Sequence, residues 1–482
     1  MSNAIRNLEP KALWNNFADL NAIPRPSKKE GKVVDFLMQF AQRHKLEALI
    51  DPVGNVIMKK PASSGMENRK TVVLQSHIDM VCQKNNDTEF DFDTQGINMF
   101  IEGDWVTADG TTLGADNGLG VAAIMSIFAS NDITHPALEA LFTVDEETGM
   151  TGALGLQAGY LDAEILLNLD TEDDDEIAMG CAGGIDITAT KTYEQHAVTA
   201  TTAYQLTVKG LRGGHSGMDI HKGYGNANKL MNRLLFALKD EVLIAQIDGG
   251  SLRNAIPRES SAVVVCDKSH RVSSLFEKIS DEIINEYKSV EENVEITIEK
   301  VNTPAYCLSS IEQERLIKTI YAIHNGVYRM SPDIEDLVET SNNLARVLVK
   351  DGSIKVLCLT RSATEVGKQD LSNQLKSTFE LGGFEVKLDG AYPGWKPNPD
   401  SKILKVLQNI YFDVFKTEPK IIAYHAGLEC GILGTNYPEM DMISFGPTIQ
   451  RAHSPDERAS ISSTQKFWKY LLEILKNIPL KS

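Results

Sequence analysis

The sequence has little with which to hold a polyanion. Lys and Arg total 48 against 66 Asp and Glu, a formal net charge of −18, so the basic surplus that binds nucleic acid or an anionic membrane is missing. No apolar run approaches the length of a membrane span. The opening MSNAIRNLEPKALWNNF lacks a basic segment followed by an apolar run and a small-residue cleavage site, so no secretory leader is expected and the chain reads as cytoplasmic. The six cysteines (Cys82, Cys181, Cys266, Cys307, Cys358 and Cys430) form no CxxC pair and sit mostly in apolar stretches. They read as reduced core thiols. The compositional signs of disorder are absent too: 42% hydrophobic and 24% charged residues over 482 positions leave ample core material for two folded units.

What is present is an α/β pattern. Between Lys70 and Asp170, short β-rich runs alternate with helical segments, which predicts a helix-covered, mainly parallel sheet. Strands are expected over Thr71–His77, Ala137–Glu147 and Ala163–Asp170, with a helix over Asp116–Ser130. The middle of the chain changes to longer alternating segments such as AYQLTVKG, SAVVVCD and NVEITIEKV, expected of an inserted α+β domain. After Pro397 the α/β style returns, with helices in SKILKVLQNIYFDVF and TQKFWKYLLEILKNI around the strand-like MDMISFG. One domain is therefore predicted from 1–185 and 398–482, interrupted by a second over 186–397.

The predicted strands of the first domain end on acids or imidazole, and the crevice beyond the carboxyl ends of such strands is where ligands bind. His77 and Asp79 stand in QSHIDM, a spacing that lets one side chain bind metal while the other fixes the ring tautomer. Asp116 lies between glycines in GTTLGADNGLG, where an ordinary helix cap would also fit but leaves the glycine density unexplained. Glu146 and Glu147 in TVDEETG, read as strand residues, would begin on opposite faces and could divide ligation from proton handling. Asp170 closes LLNLD, and His453 lies in the turn-rich SFGPTIQRAHSPDE. Singly, each is explained by a surface histidine, a cap or a solvated turn, as is most of the TEDDDE run at 171–176. Jointly they form a nitrogen and oxygen donor set suited to zinc, cobalt or manganese.

With these residues assembled, the chain resembles the M20 family of metallopeptidases over essentially its whole length. The stretches VVLQSHIDMVCQKNNDT, GTTLGADNG, DEETGMTGALGLQ, LRGGHSGMDIH, LRNAIPRE, HAGLECG and GPTIQRAHSPDE carry the resemblance. It implies two divalent ions, zinc in the first instance, with Asp116 bridging, His77 and Asp170 on one ion, and Glu147 and His453 on the other. Glu146 would then be the general base, passing a proton from a bridging water to the leaving amine, while Asp79 orients His77. The inserted domain would be a lid, with His215 in GGHSG stabilising the oxyanion and Asn254, Arg361 and Gly427 contacting substrate, Arg361 suiting a free carboxylate. Glu429 beside Gly427 would line the same pocket, and His425 is equally well explained as structural. Many members carry Asp-x-Lys after the bridging Asp; Asn117 and Gly118 here point to the family's dipeptidase branch. The implied reaction is hydrolysis of unblocked dipeptides, including β-alanyl-histidine, by a cytoplasmic enzyme that is a homodimer if its lid carries the dimer contact. An N-acyl amino acid deacylase with the same metals, or a non-catalytic metal-binding protein, are the alternatives.

Overall fold

A computed structural model of the protein describes residues 2–481. The chain divides into two compact units, one of Met1–Gly180, Pro397–Ala423 and Leu428–Ser482, the other of Cys181–Lys396 with Tyr424–Gly427. The first unit holds an eight-stranded sheet whose centre is parallel. Strand Val72–His77 pairs in parallel with Leu138–Thr143 on one side and Ile165–Asn168 on the other, and Asp441–Ser444 continues the parallel run beside Ile165–Asn168. The hairpin Glu47–Ile50/Val56–Lys60 extends it in antiparallel fashion. All three strands Val72–His77, Leu138–Thr143 and Ile165–Asn168 are buried along their whole length, because helices cover both faces and near-continuous apolar runs satisfy them.

The helix Ala115–Ala129 packs on Val72–His77 and is buried nearly all round. A side chain at Gly120 would lie 2.4 Å from Ser76 Oγ and 2.2 Å from Asn117 Oδ1, so glycine there permits the close approach of helix to strand. Asp116 and Asn117 depart from helical backbone angles, which turns the carboxylate of Asp116 out of the helix start.

One expectation changes here. The predicted strand Ala137–Glu147 ends at Thr143; Asp145 takes a left-handed φ of 53° and Glu146–Gly149 is a helical turn. Glu146 and Glu147 are therefore not pleat neighbours on opposite faces. Their backbone amides are held by the Asp79 carboxylate at 3.1 and 3.2 Å, and Asp145 is tied by Thr151 Oγ1 at 2.8 Å and by Thr148. Side chains distant in sequence have overridden the strand propensity of the local run.

The second unit is α+β. Its nine-stranded sheet is antiparallel at every pairing, from Glu295–Val301 at one edge to Glu385–Tyr392 at the other. Helices including Ala227–Leu238, Ser269–Tyr287 and Glu365–Leu381 supply Leu230, Leu234, Phe276, Leu371 and Phe379 to a large apolar core. Cys82, Cys266, Cys307 and Cys358 are free thiols. Among the described residues, no helix is long and apolar enough to cross a membrane.

Candidate metal centre

Parallel pairing in register puts His77 beside Thr143 at the strand ends, with the Glu146 turn and Asp170 following within three residues of their strands. The five side chains named as ligands meet around Asp116. Its Oδ1 lies 3.1 Å from His77 Nε2 and its Oδ2 3.2 Å from His453 Nε2. Asp170 Oδ1 is 3.5 Å from His77 Nε2, and Glu147 Oε2 is 3.0 Å from His453 Nε2. Two donor triads result, His77/Asp116/Asp170 and Asp116/Glu147/His453, each drawn together within 4.8 Å and sharing Asp116. Glu146 joins His77 and Glu147 in a third such grouping.

Charge in this cluster is unbalanced. Burial works against ionised Asp116, but hydrogen bonds with His453 and His77 outweigh it and hold its carboxyl well below the usual range. Burial lifts Asp170 to about 6 and, helped by Asp170 and Glu147, lifts Glu146 well above an ordinary glutamate. His453, hydrogen-bonded to Asp116 and Glu147, is driven up to about 11. The carboxylates thus press protons onto the imidazoles, and divalent cations would neutralise the same charge more fully. Glu147 Oε1 is buried with no hydrogen-bond partner, as expected of an oxygen whose partner is an ion. The residues therefore fit a pair of metal ions: imidazole nitrogens and carboxylate oxygens, with one two-oxygen carboxylate between them.

Around these side chains lies a second set of contacts. Asp79 Oδ1 faces His77 Nδ1 at 3.3 Å, while the same carboxylate accepts from Ser27 at 2.8 Å and grips the Glu146 turn. Orienting a histidine was predicted for Asp79; holding the acidic turn was not. Asn117 donates to Leu169 O at 2.9 Å and to Asp170. Glu429, read as pocket-lining, is instead fully buried, with Oε2 accepting from Gln75 at 2.6 Å and from Thr143 at 2.7 Å. Burial raises its carboxyl to about 7. Gln75 in turn accepts from Asn168 at 2.5 Å, and Asn168 Oδ1 receives the Asp170 amide at 3.3 Å. The polar layer beneath the ligands gave no sequence signal, since Gln75, Thr143 and Asn168 read simply as strand residues. Within TEDDDE, Glu172 is also more than a solvated acid: burial, with Asp116 and Asp170 adding repulsion, raises it to about 8.

In the second unit, the structure brings His215 and Arg361 together. His215 Nδ1 accepts the amides of Gly217 and Met218 at 3.2 and 3.1 Å, so the neutral ring carries its proton on Nε2. Burial and the neighbouring Arg361 lower it to about 4. Arg361, itself buried, donates to Tyr392 Oη at 2.8 Å and approaches His215 Nε2 at 3.5 Å. A guanidinium and an imidazole N–H are thereby set side by side, donor chemistry that an anion can accept. Asn254 is exposed and reaches the group through its backbone, its carbonyl accepting from Ser216 N at 2.8 Å. Gly427 sits half-buried in the loop after His425. His425 is buried, 2.7 Å from Ser341 Oγ, and burial with nearby Arg361 lowers it to about 3.

Fold and centre together are those of a di-metal peptidase, and the chain belongs to peptidase family M20/M25/M40, whose pattern it matches over residues 73–477. Within that family it is 43% identical over 482 residues, 99% of both chains, to the cytosol non-specific dipeptidase of Escherichia coli. Its structure matches the aminoacylhistidine dipeptidase of Vibrio alginolyticus over 100% of both chains, with a TM-score of 0.91 and 44% identity. An aminopeptidase from Bacillus cereus shares the fold at a TM-score of 0.58 and 15% identity, over 98% of this chain and 99% of the other.

Proposed function

We propose that this chain is a cytosolic metallo-dipeptidase that cleaves unblocked dipeptides, Xaa-His among them, with His77, Asp116 and Asp170 holding one zinc ion and Asp116, Glu147 and His453 a second. The observation that carries the reading is the position of Asp116, each of whose oxygens faces a different imidazole. Full-length similarity to two dipeptidases supports the substrate class, and the E. coli relative supports the location. When bound, the ions supply Lewis acidity toward the scissile carbonyl and lower the pKa of a nucleophilic water.

The rest of the chemistry falls to the protein. Glu146 takes the proton of the attacking water and delivers it to the leaving amine, a task matched to a carboxyl whose burial raises its basicity. Asp79 fixes the His77 ring and, through two amides, the location of Glu146 and Glu147. Arg361 serves the free carboxylate of the dipeptide and His215 Nε2–H the developing oxyanion, while Asn254 and Gly427 complete the substrate contacts. Assembly as a homodimer belongs to the same reading, and light scattering tests it.

The deciding experiment assays a panel containing β-alanyl-histidine, other free dipeptides and N-acetyl amino acids, after chelation and after stepwise return of zinc, cobalt or manganese. Free dipeptides are expected to be cleaved only with metal restored. Preferential cleavage of N-acetyl amino acids would replace this reading with a deacylase, and no metal-dependent hydrolysis at all would end it.

A further inference from the structure

Four residues after His453, Glu457 is 2% exposed and has no part in the reaction as derived above. Its carboxylate accepts four consecutive backbone amides: Leu113 at 2.8 Å and Gly114 at 2.9 Å on Oε2, Ala115 at 2.8 Å and Asp116 at 3.2 Å on Oε1. These amides converge because Gly114 adopts a left-handed φ of 70°, making the concave run of N–H groups that cradles an anion. From the other side, Arg25 donates to the carbonyl of Gly114 at 2.5 Å and to those of Ile78 and Asp79 at 3.2 and 2.9 Å. A side chain on Gly114 would strike Arg25 NH2 at 2.5 Å. The segment that ends in Asp116 is thus gripped by its amides from Glu457 and by a carbonyl from Arg25.

Glu457 shares a short loop with His453, and Thr107 Oγ1 anchors that loop by donating to the Glu457 carbonyl at 3.0 Å. One carboxylate therefore joins two segments more than three hundred residues apart, the one carrying Asp116 and the one carrying His453. We propose that Glu457 is a positioning residue that sets the separation of Asp116 from His453, and so decides whether the Asp116/Glu147/His453 position retains its ion. The inference rests on the assignment of Asp116 and His453 as ligands.

The acceptor count makes it testable. Four N–H donors need both oxygens of a carboxylate, whereas the amide of a glutamine offers one oxygen and turns an NH2 toward the remaining donors. Glu457→Gln, equal in size, removes the grip; Glu457→Asp keeps both oxygens on a stem one methylene shorter. Each variant is titrated with zinc and with cobalt, reading stoichiometry by elemental analysis, affinity by calorimetry and the visible spectrum of bound cobalt, with wild type and His453→Ala as references. Folding is checked by circular dichroism.

Folded Glu457→Gln is expected to hold one ion tightly and the second about 10–100-fold more weakly, the range seen when a residue supporting metal ligands is lost. Its first-ion cobalt spectrum should match wild type, with Glu457→Asp in between. A purely architectural role would lower the unfolding temperature and leave both affinities of the folded protein alone, and that result overturns the proposal. Should Glu457→Gln not fold, Glu457→Asp decides: weakened second-ion binding supports the proposal and wild-type binding overturns it. If His453→Ala also keeps two ions at wild-type affinity, the ligand assignment has failed instead, and the proposal falls with it.

Discussion

The two halves of the centre are built on different supports. His77 has a side chain 1% exposed at the end of a central parallel strand, and its partner Asp170 follows the next strand. His453 has a side chain 51% exposed, on a loop whose backbone at that residue is left-handed, with φ 63°. One half is held by the sheet ladder and the polar layer beneath it; in the other, Glu147 sits on the turn held by Asp79 while His453 depends on what its own loop can grip. Donors of the same chemistry can therefore differ widely in how firmly they are placed, and the looser half is where occupancy should be most sensitive to its surroundings.

The largest effect tests whether both halves serve one reaction. Glu146→Gln is expected to lower kcat by about 10²–10⁴-fold, the usual weight of a general base, with both ions retained by elemental analysis. Unchanged turnover would remove Glu146 from the mechanism. The contrast itself is tested by His77→Ala against His453→Ala. Losing the buried ring leaves Asp79, Asp116 and Asp170 without their shared cationic partner, and breaking a buried pair of this kind costs about 3–5 kcal/mol, so His77→Ala should lower both metal content and apo-protein stability to denaturant. His453→Ala should lower metal content and cost the apo protein less stability than His77→Ala, because its ring is 51% exposed and solvent screens its pairing with Asp116 and Glu147; equal destabilisation by the two would erase the distinction between sheet-held and loop-held halves.

The smallest effect lies in the second unit and depends on pH. His215 and His425 are lowered to about 4 and about 3 in the folded protein, chiefly by burial, against an ordinary value of about 6.5 in the unfolded chain. Between those limits the unfolded chain binds more protons, so stability is fully present above pH about 6.5 and declines as pH falls, by at most about 1.4 kcal/mol per pH unit for each proton. Hydrogen-exchange protection in strand Val338–Lys350, which carries Ser341 against His425, should weaken from pH 7 to pH 5 in the wild type. It should weaken less in His425→Gln. Identical slopes would show that His425 is not the titrating group.

The meeting of the side chains around Asp116 was partly legible before the fold was known, because the apolar runs VVLQSH and ILLNLD each end on a metal-capable residue, although singly His77 also fits a surface histidine and Asp170 a turn acid. The alternation of those runs with helices likewise gave the α/β architecture. What escaped was whatever depends on contacts remote in sequence. The Glu146 turn is shaped by Asp79, so the local run TVDEE read as strand; Glu457, in a turn-rich loop, carried no signal of its own; Glu429 was read onto a pocket wall although Gln75 and Thr143 draw it into the interior. In each case a carboxylate finds donors supplied by another segment, and no local periodicity encodes that.

The central sheet is closed by strand Asp441–Ser444, which pairs with Ile165–Asn168 across the whole intervening unit, and His453 and Glu457 come later still. Chains emerge from the ribosome from the N-terminus and fold unit by unit as they do so. For most of its synthesis this protein therefore carries His77, Asp116, Glu147 and Asp170 without their last partners. Until the segment with His453 and Glu457 is made, the chain lacks two of the side chains that meet the Asp116 segment, and the cluster is complete only when the rest of the polypeptide is already there to be folded.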